Sequence, residues 1–218
     1  SGYGIAFHSD TVQSFGKLNL NVKELGMEMA VISAHKISGP KGISALYIKK
    51  GTKPDKYMHG GMQERDMRGG TENTAAIAGF GKAVLICRDQ AGRDFEHYTE
   101  LRRHLLGLLL SEFGNALSVN SPEDESKGLP NILNFSFRKE LAEYDEEMLL
   151  IQLDLKGIAV SGGSACTSGT NKPSHVLLAI GRDPAEALGA VRVSFGRNNT
   201  KSDCEGLLKA LKEIVRLK

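Results

Sequence analysis

Cysteine is scarce in this chain of 218 residues, where Cys87, Cys166 and Cys204 stand far apart and form no C-x-x-C pair. An odd, sparse set of cysteines argues against a disulfide framework and against a structural zinc site, and it fits a reducing cytoplasm. The sequence also lacks an apolar run of transmembrane length. We therefore expect a cytoplasmic protein with no signal peptide, no membrane segment and no metal site.

Neither sign of charge dominates the sequence. The 28 basic residues nearly balance the 26 acidic residues, which leaves a net charge of +2. Such a balance provides no electrostatic footprint for nucleic acid or for an anionic membrane, so we expect neither as a partner. The hydrophobic share of 40% is that of an ordinary globular protein, and the length allows a sizeable core.

The first fifty residues alternate short apolar runs with polar segments. Residues 5–7, 29–32 and 43–48 have the pattern of short buried strands, and residues 22–26 have that of a short helix ended by glycine. This order predicts part of an α/β sheet. Because residues 1–4 run directly into the first apolar run, we expect the chain to be a piece of a longer protein.

The pattern changes beyond a loop-like stretch at residues 53–70. Helical spacing follows at residues 75–87 and again at 95–113. Alternating strands and amphipathic helices then predict a compact α+β unit, with strands at 131–137, 158–160 and 191–195 and helices at 145–155 and 203–217. We place the boundary near Arg93 and predict two domains, residues 1–92 and 93–218.

The first candidate for chemistry is Lys36, which follows the predicted strand at 29–32 in the segment Ser33-Ala34-His35-Lys36. If the lysine is buried there, desolvation lowers its pKa and favours a neutral amine that can bond to a carbonyl carbon. Ser33 and His35 could hydrogen-bond a phosphate. The alternative is a surface lysine just past the end of a strand.

An acid follows the preceding strand in a similar position. Asp10 ends the segment that begins at residue 5, and Gln13 comes three residues later. Ligands of open α/β sheets gather outside the carboxyl ends of the strands, where Asp10 could keep a pyridine nitrogen protonated. Asp10 could instead cap the following turn. An acid after one strand and a lysine after the next is the arrangement that a pyridoxal phosphate site needs.

Residues 161–170 contain Cys166 among serine, glycine, threonine and alanine, which is the composition of an exposed, flexible loop. Structural cysteines lie in apolar surroundings, as the contexts of Cys87 and Cys204 predict for those two. Cys166 is therefore the candidate nucleophile. The alternative is a phosphate-binding Gly/Ser loop that happens to contain a cysteine.

Taken together, these segments resemble the ordered motifs of the NifS/IscS-type cysteine desulfurases from one end of the chain to the other. The matching segments are Asp10-x-x-Gln13, Ser33-Ala34-His35-Lys36, His59-Gly60-Gly61, Gln63-Glu64-Arg65, Arg68-Gly69-Gly70-Thr71-Glu72-Asn73, Ser164-Ala165-Cys166-Thr167-Ser168 and Arg192-x-Ser194-x-Gly196-Arg197. Three positions depart from the usual pattern: Met62 interrupts a run of glycines, Asp66 replaces a glycine and Gly162 replaces a serine.

The resemblance implies the C-terminal part of a fold-type-I pyridoxal-phosphate-dependent transferase. Residues 1–92 would be a partial mixed or parallel sheet of the cofactor-binding large domain. Residues 93–218 would be a small α+β domain that carries the cysteine loop. The family's N-terminal Gly/Thr phosphate turn and the histidine that stacks on the cofactor have no counterpart here.

The resemblance also implies a role for each matching residue. Lys36 would hold pyridoxal 5′-phosphate covalently, Asp10 would pair with the ring nitrogen, and Gln13 would hydrogen-bond the ring hydroxyl. Ser33 and His35 would bind the phosphate, and Thr71 would reach the phosphate of the neighbouring subunit in a homodimer. Arg192 would bind the substrate carboxylate, with Arg197 as a rival for that role.

The implied reaction converts L-cysteine to L-alanine and leaves the sulfur on Cys166 as a persulfide. An acceptor protein, either an iron–sulfur scaffold or a sulfur carrier, would then take that sulfur. Two alternatives stay open from the residues: an aminotransferase of the same fold, and a truncated, non-catalytic fragment or interaction module.

Overall fold

A computed structural model describes residues 4–162 and 172–218 of the chain. The chain divides into two compact units, Ser1–Gly92 and Arg93–Lys218. The assignment of the first unit to a cofactor-binding domain and of the second to a small C-terminal domain stays a prediction. No helix in the described ranges combines the length and the apolar character needed to cross a bilayer.

The first unit is built on a three-stranded mixed sheet in the order β1-β2-β3, with β1 at His8–Asp10, β2 at Met29–Ser33 and β3 at Ser44–Ile48. β1 is parallel to β2, and β2 is antiparallel to β3. The predicted mixed sheet is therefore confirmed. Asp10 pairs with Val31 in the parallel ladder, so the carboxyl ends of β1 and β2 lie at the same edge of the sheet.

A 3-10 helix, Ala34–Ile37, begins directly after β2. In such a helix residues three apart lie on one side, so Ala34 and Ile37 share a face. Both are buried, in a small core cluster with Phe80, Ala83 and Cys87. The residues between them, His35 and Lys36, are left exposed on the other side. Burial of two apolar residues thus fixes the position of the two polar ones.

A short helical segment, α1 (Gln63–Asp66), and a helix of 40 residues, α2 (Thr74–Phe113), follow. The separate helices expected at 75–87 and 95–113 are wrong, because α2 continues through Gly92. A single glycine costs a helix only about 1 kcal/mol, and the guanidinium of Arg197 holds Asp94 through contacts of 2.6–2.9 Å. A contact 103 residues away in sequence thus supports the stretch that looked like a break.

Two smaller expectations for the first unit are also wrong. Residues 22–26 form hydrogen-bonded turns rather than a helix, with the amide of Met27 donating to the carbonyl of Val22 at 2.9 Å. The first strand begins at His8, not at residue 5.

The second unit contains a three-stranded antiparallel sheet in the order β4-β5-β7, together with a small two-stranded sheet, β6-β8. Its strands are β4 (Leu117–Val119), β5 (Ile132–Phe137), β6 (Ala142–Glu143), β7 (Val191–Ser194) and β8 (Arg216–Leu217). Its helices are 3-10 helices at Gly114–Ala116 and Glu125–Lys127, then α3 (Leu149–Leu155), α4 (His175–Ala179), α5 (Pro184–Leu188) and α6 (Lys201–Ile214). The expected α+β unit is therefore present, but residues 158–160 do not form a strand.

The two faces of the β4-β5-β7 sheet have opposite character. Leu133, Phe135 and Phe137 alternate along β5, are fully buried and belong to the large core cluster of this unit. The alternate residues of β5 and β7 point away from that core, because successive side chains of a strand lie on opposite faces. These residues include Asn134 and Arg192, which pair directly across the ladder. The sheet thus has one apolar face and one polar face.

Candidate active site

Asp10 lies at the end of β1, and its carboxylate is exposed. One oxygen, Oδ1, accepts a hydrogen bond from the amide of Val12 at 2.9 Å. The other, Oδ2, has no hydrogen-bond partner among the described residues. The capping alternative and the ligand-binding role are therefore compatible, because one oxygen orients the side chain and the other stays available.

Ser33 and His35 lie close together just beyond β2. Ser33 is buried, and its Oγ is 2.8 Å from Nδ1 of His35. The hydroxyl of Ser44, on β3, donates to Ser33 Oγ at 3.4 Å. The two groups share this hydrogen bond, whose donor depends on the imidazole tautomer, and either tautomer leaves one O–H or N–H that an anion could use.

Lys36 is exposed, so the expectation that burial would favour its neutral amine is wrong. The reason is the 3-10 helix, whose buried face is taken by Ala34 and Ile37. An exposed amine at the carboxyl edge of the sheet is nevertheless accessible to a bound carbonyl compound. Gln13 and Thr71 are exposed as well, and the roles predicted for their side chains stay predictions.

The sequence analysis missed Lys17, the lysine of this region that is partly buried. Its Nζ donates to the main-chain carbonyls of Gln13 at 3.1 Å and of Lys36 at 3.4 Å. Burial lowers the pKa of Lys17, the charge of Lys36 lowers it further, and Cys87 opposes the shift. Lys17 therefore ties the turn after β1 to the 3-10 helix after β2. In the sequence, the one feature that could have drawn attention to Lys17 is its position directly after Gly16.

Gly16 itself has a backbone conformation that favours glycine, with φ at +77°. A Cβ atom there would lie 2.4 Å from Sγ of Cys87 and 2.9 Å from Cγ2 of Ile37. We expect Gly16→Ala to lower the free energy of unfolding by about 3 kcal/mol, since left-handed strain and overpacking add up. Urea unfolding measures this loss.

Gly26→Ala is the matched control for Gly16→Ala. Gly26 also has a positive φ, +64°, but nothing lies within 4 Å of its added Cβ. This variant should lose only the backbone part, about 1 kcal/mol. If both variants lose the same free energy of unfolding, the contact of the added Cβ with Cys87 and Ile37 does not destabilise the protein.

Three consecutive residues of the short segment α1 have left-handed backbone angles without being glycine. The φ values of Glu64, Arg65 and Asp66 are 49°, 59° and 64°. Such angles cost roughly 1–2 kcal/mol each. Asp66 stands where the resemblance leads us to expect glycine, and its Oδ1 is 2.6 Å from Nζ of Lys56. The aspartate that replaces the expected glycine thus forms an ion pair with Lys56.

In the second unit, the guanidinium of Arg192 has no hydrogen-bond or ion-pair partner among the described residues. Its Nε is buried and makes no hydrogen bond within residues 4–162 and 172–218. Arg197 differs, because both its Nε and one terminal nitrogen bind the carboxylate of Asp94. An arginine already occupied by a carboxylate is a poor receptor for a second one. This contrast favours Arg192 over Arg197 as the carboxylate-binding residue.

The main chain of Arg192 pairs with Ser161 in an isolated antiparallel bridge. The Ser161 amide donates to the carbonyl of Arg192 at 3.2 Å, and the reverse bond is 2.6 Å. Cys166 lies outside the described residues, five positions after Ser161. Ser161, which precedes the last described residue before Cys166, thus lies beside the main chain of Arg192.

The other two cysteines are buried, as predicted. Cys87 contacts the carbonyl of Gly16. Burial raises the pKa of the Cys204 thiol to about 11, so this thiol is protonated near neutral pH. The surroundings of Cys204 therefore do not favour a reactive thiolate.

The polar groups of the first unit fit pyridoxal 5′-phosphate by their chemistry. Asp10 offers a free carboxylate oxygen for a pyridinium nitrogen, and Lys36 offers an exposed amine. The hydrogen-bonded pair of Ser33 and His35 offers a donor for a phosphate. These groups follow two parallel strands at the same sheet edge, where ligands of such sheets bind.

Comparison with known proteins agrees with this chemistry. The family described as aminotransferase class-V matches residues 1–207. The cysteine desulfurase IscS of Clostridium botulinum (strain Hall) is 42% identical over 212 residues, which cover 97% of this chain and 52% of that protein. The cysteine desulfurase IscS of Dictyoglomus turgidum is 43% identical over 213 residues, covering 98% of this chain and 52% of that protein.

The fold has close counterparts among solved structures. The X-ray structure of a NifS-like protein from Rickettsia africae aligns with a TM-score of 0.83 at 33% identity, covering 97% of this chain and 54% of that chain. This chain thus spans about half the length of the curated relatives that it matches. That this half is the C-terminal one stays a prediction.

Proposed function

The chain belongs to the class-V aminotransferase family, and from that membership we propose that it is part of a pyridoxal-phosphate-dependent cysteine desulfurase. The observation that carries the proposal is the placement of Asp10 and Lys36 after the neighbouring parallel strands β1 and β2. The names of the relatives from Clostridium botulinum and Dictyoglomus turgidum support the choice of reaction.

In the first unit, the candidate residues would bind the cofactor, and Lys36 would also move a proton. When bound, pyridoxal 5′-phosphate supplies an electron sink for charge that develops on the substrate. Asp10 Oδ2 would keep a proton on the ring nitrogen, Gln13 would hydrogen-bond the ring hydroxyl, and Ser33 with His35 would hold the phosphate. Lys36 would be the attachment residue for the cofactor, and its amine would accept the α-proton of the substrate. Thr71 would contact the cofactor phosphate of a second copy in a homodimer.

In the second unit, Arg192 would bind the carboxylate of L-cysteine through a charge-assisted, two-pronged contact. The thiolate of Cys166 then attacks the substrate sulfur. The carbon–sulfur bond of the substrate breaks, a sulfur–sulfur bond forms on Cys166, and the carbon takes up a proton to give alanine. A sulfur-acceptor protein, a scaffold or a carrier, would remove the persulfide sulfur in the cytoplasm.

An assay of the full chain with added pyridoxal 5′-phosphate and L-cysteine tests the proposal. We expect a cofactor absorbance band, and alanine in amounts equal to the sulfur bound to the protein plus that released. A keto acid in place of alanine would assign the chain to an aminotransferase. Absence of both the band and the products would mean that this chain alone is a non-catalytic piece.

A further inference from the structure

Arg182, which follows α4, binds the polar face of the β4-β5-β7 sheet. Its Nε donates to Oδ1 of Asn120 at 2.5 Å, and a terminal nitrogen donates to the carbonyl of Val119 at 2.7 Å. The amide nitrogen of Asn120 in turn donates to Oδ1 of Asn134 at 2.8 Å and to Oγ of Ser136 at 2.9 Å. A chain of side-chain hydrogen bonds thus leads from Arg182 to β5.

Chemistry determines which atom donates and which accepts in each of these hydrogen bonds. A guanidinium has only donors, so the atom of Asn120 that faces Arg182 must be its oxygen. The amide nitrogen of Asn120 therefore faces Asn134, and the atom of Asn134 that receives it must again be an oxygen. The amide orientation that is often ambiguous for asparagine is fixed here at both residues.

The remaining group of Asn134 is its Nδ2 amide, which has no hydrogen-bond partner within the described residues. Asn134 pairs with Arg192 across the antiparallel ladder, and both residues lie on the face opposite the core. Side chains of such directly opposed residues have Cβ atoms about 5 Å apart. Two sets of unused donors, the Asn134 amide and the Arg192 guanidinium, therefore stand next to each other.

We propose that Asn134 is a second binding residue for the substrate carboxylate, beside Arg192, and that Arg182 orients it through Asn120. The inference rests on the proposed function for the identity of the substrate, an amino acid. Its basis is that neighbouring donors without acceptors match a planar anion with two acceptor oxygens. A buried guanidinium nitrogen without a partner is costly, and a carboxylate would satisfy it.

Kinetics of single variants with L-cysteine test the role of Asn134. Asn134→Asp keeps the oxygen that Asn120 binds and replaces only the free donor by an anionic oxygen, so we expect KM to rise more than tenfold. Asn134→Ala removes the donor without adding charge, and a roughly tenfold rise in KM is expected. In both variants kcat should stay within about twofold, because Asn134 moves no proton.

Two variants of Arg182 test the orienting role. Arg182→Met lets the amides of Asn120 and Asn134 turn over, so KM should rise about threefold. Arg182→Lys keeps a group that only donates and should restore most of the affinity. The control is Asn198→Ala, an exposed asparagine of the same unit whose loss should leave KM unchanged. A purely structural brace would instead lower the unfolding midpoint of the Asn134 variants without changing KM.

A binding measurement separates this inference from the proposed reaction. The full chain, with pyridoxal 5′-phosphate present, is titrated with L-alanine while the side-chain NMR signals of Asn134 and Arg192 are followed, and L-alaninamide serves as the ligand without a carboxylate. We expect both signals to shift with L-alanine only. Shifts without any alanine formed from cysteine would overturn the proposed function alone. An unmoved Asn134 signal would overturn the carboxylate site, whatever the activity.

Discussion

Replacing Lys36 by alanine is expected to abolish covalent attachment of pyridoxal 5′-phosphate and to lower alanine formation from L-cysteine by at least about a thousandfold. The lysine has two proposed tasks, bonding the cofactor and moving the α-proton, and proton transfer by a positioned group alone contributes about 10²–10⁴-fold. Borohydride reduction of the wild-type chain with bound cofactor makes the bond between the cofactor and the lysine irreversible. Peptide mass spectrometry should then locate the cofactor on Lys36.

Two other lysines make this experiment specific. Lys41 is an exposed lysine five residues further on, and Lys41→Ala should keep the attached cofactor. Lys17 is the local rival, because its amine lies 3.4 Å from the carbonyl of Lys36 and burial lowers its pKa. A reduced cofactor found on Lys17, or retained in Lys36→Ala, would show that the attachment residue is misassigned.

The second large effect is expected for Cys166→Ser. A hydroxyl has nearly the shape of a thiol but is not a thiolate at neutral pH, so it cannot accept sulfur from the substrate. We expect no sulfur bound to the protein and a fall in alanine formation of about a thousandfold, with the cofactor absorbance unchanged. Cyanolysis of the persulfide and amino-acid analysis measure the two products.

Cys204→Ala is the control for Cys166→Ser, because Cys204 is buried and its thiol has a pKa of about 11. This variant should keep both the bound sulfur and the rate of alanine formation. A Cys166→Ser variant that forms alanine at the parent rate would remove Cys166 from the reaction and leave an aminotransferase as the better assignment.

The sheet edge of the first unit could be predicted because its signals are local. The apolar run at residues 29–32 predicts β2 and the position of its carboxyl end, whereas the apolar run at residues 5–7 only precedes β1, which consists of the polar residues His8–Asp10. The sequence left open whether Lys36 is buried or exposed, because its exposure follows from the 3-10 helix and from the burial of Ala34 and Ile37 against α2. The conformation of residues Ala34–Ile37 depends on this packing, and not only on the four residues themselves.

The features that sequence reasoning missed join residues that are distant along the chain. The continuity of α2 through Gly92 goes with a contact between Asp94 and Arg197. The polar network joins Arg182 to Asn120 over 62 residues. A motif singled out Arg197 as a rival for substrate binding, but no periodicity or motif indicates which distant residue pairs with which.

The small core of the first unit has a consequence for resistance to proteolysis. The 3-10 helix that carries Lys36 packs on three buried residues of α2, in a cluster far smaller than that of the second unit. A ligand that binds only the folded state adds its binding free energy to the stability of that state. If the proposed cofactor binds at this edge, it would therefore also slow the proteolysis of the first unit.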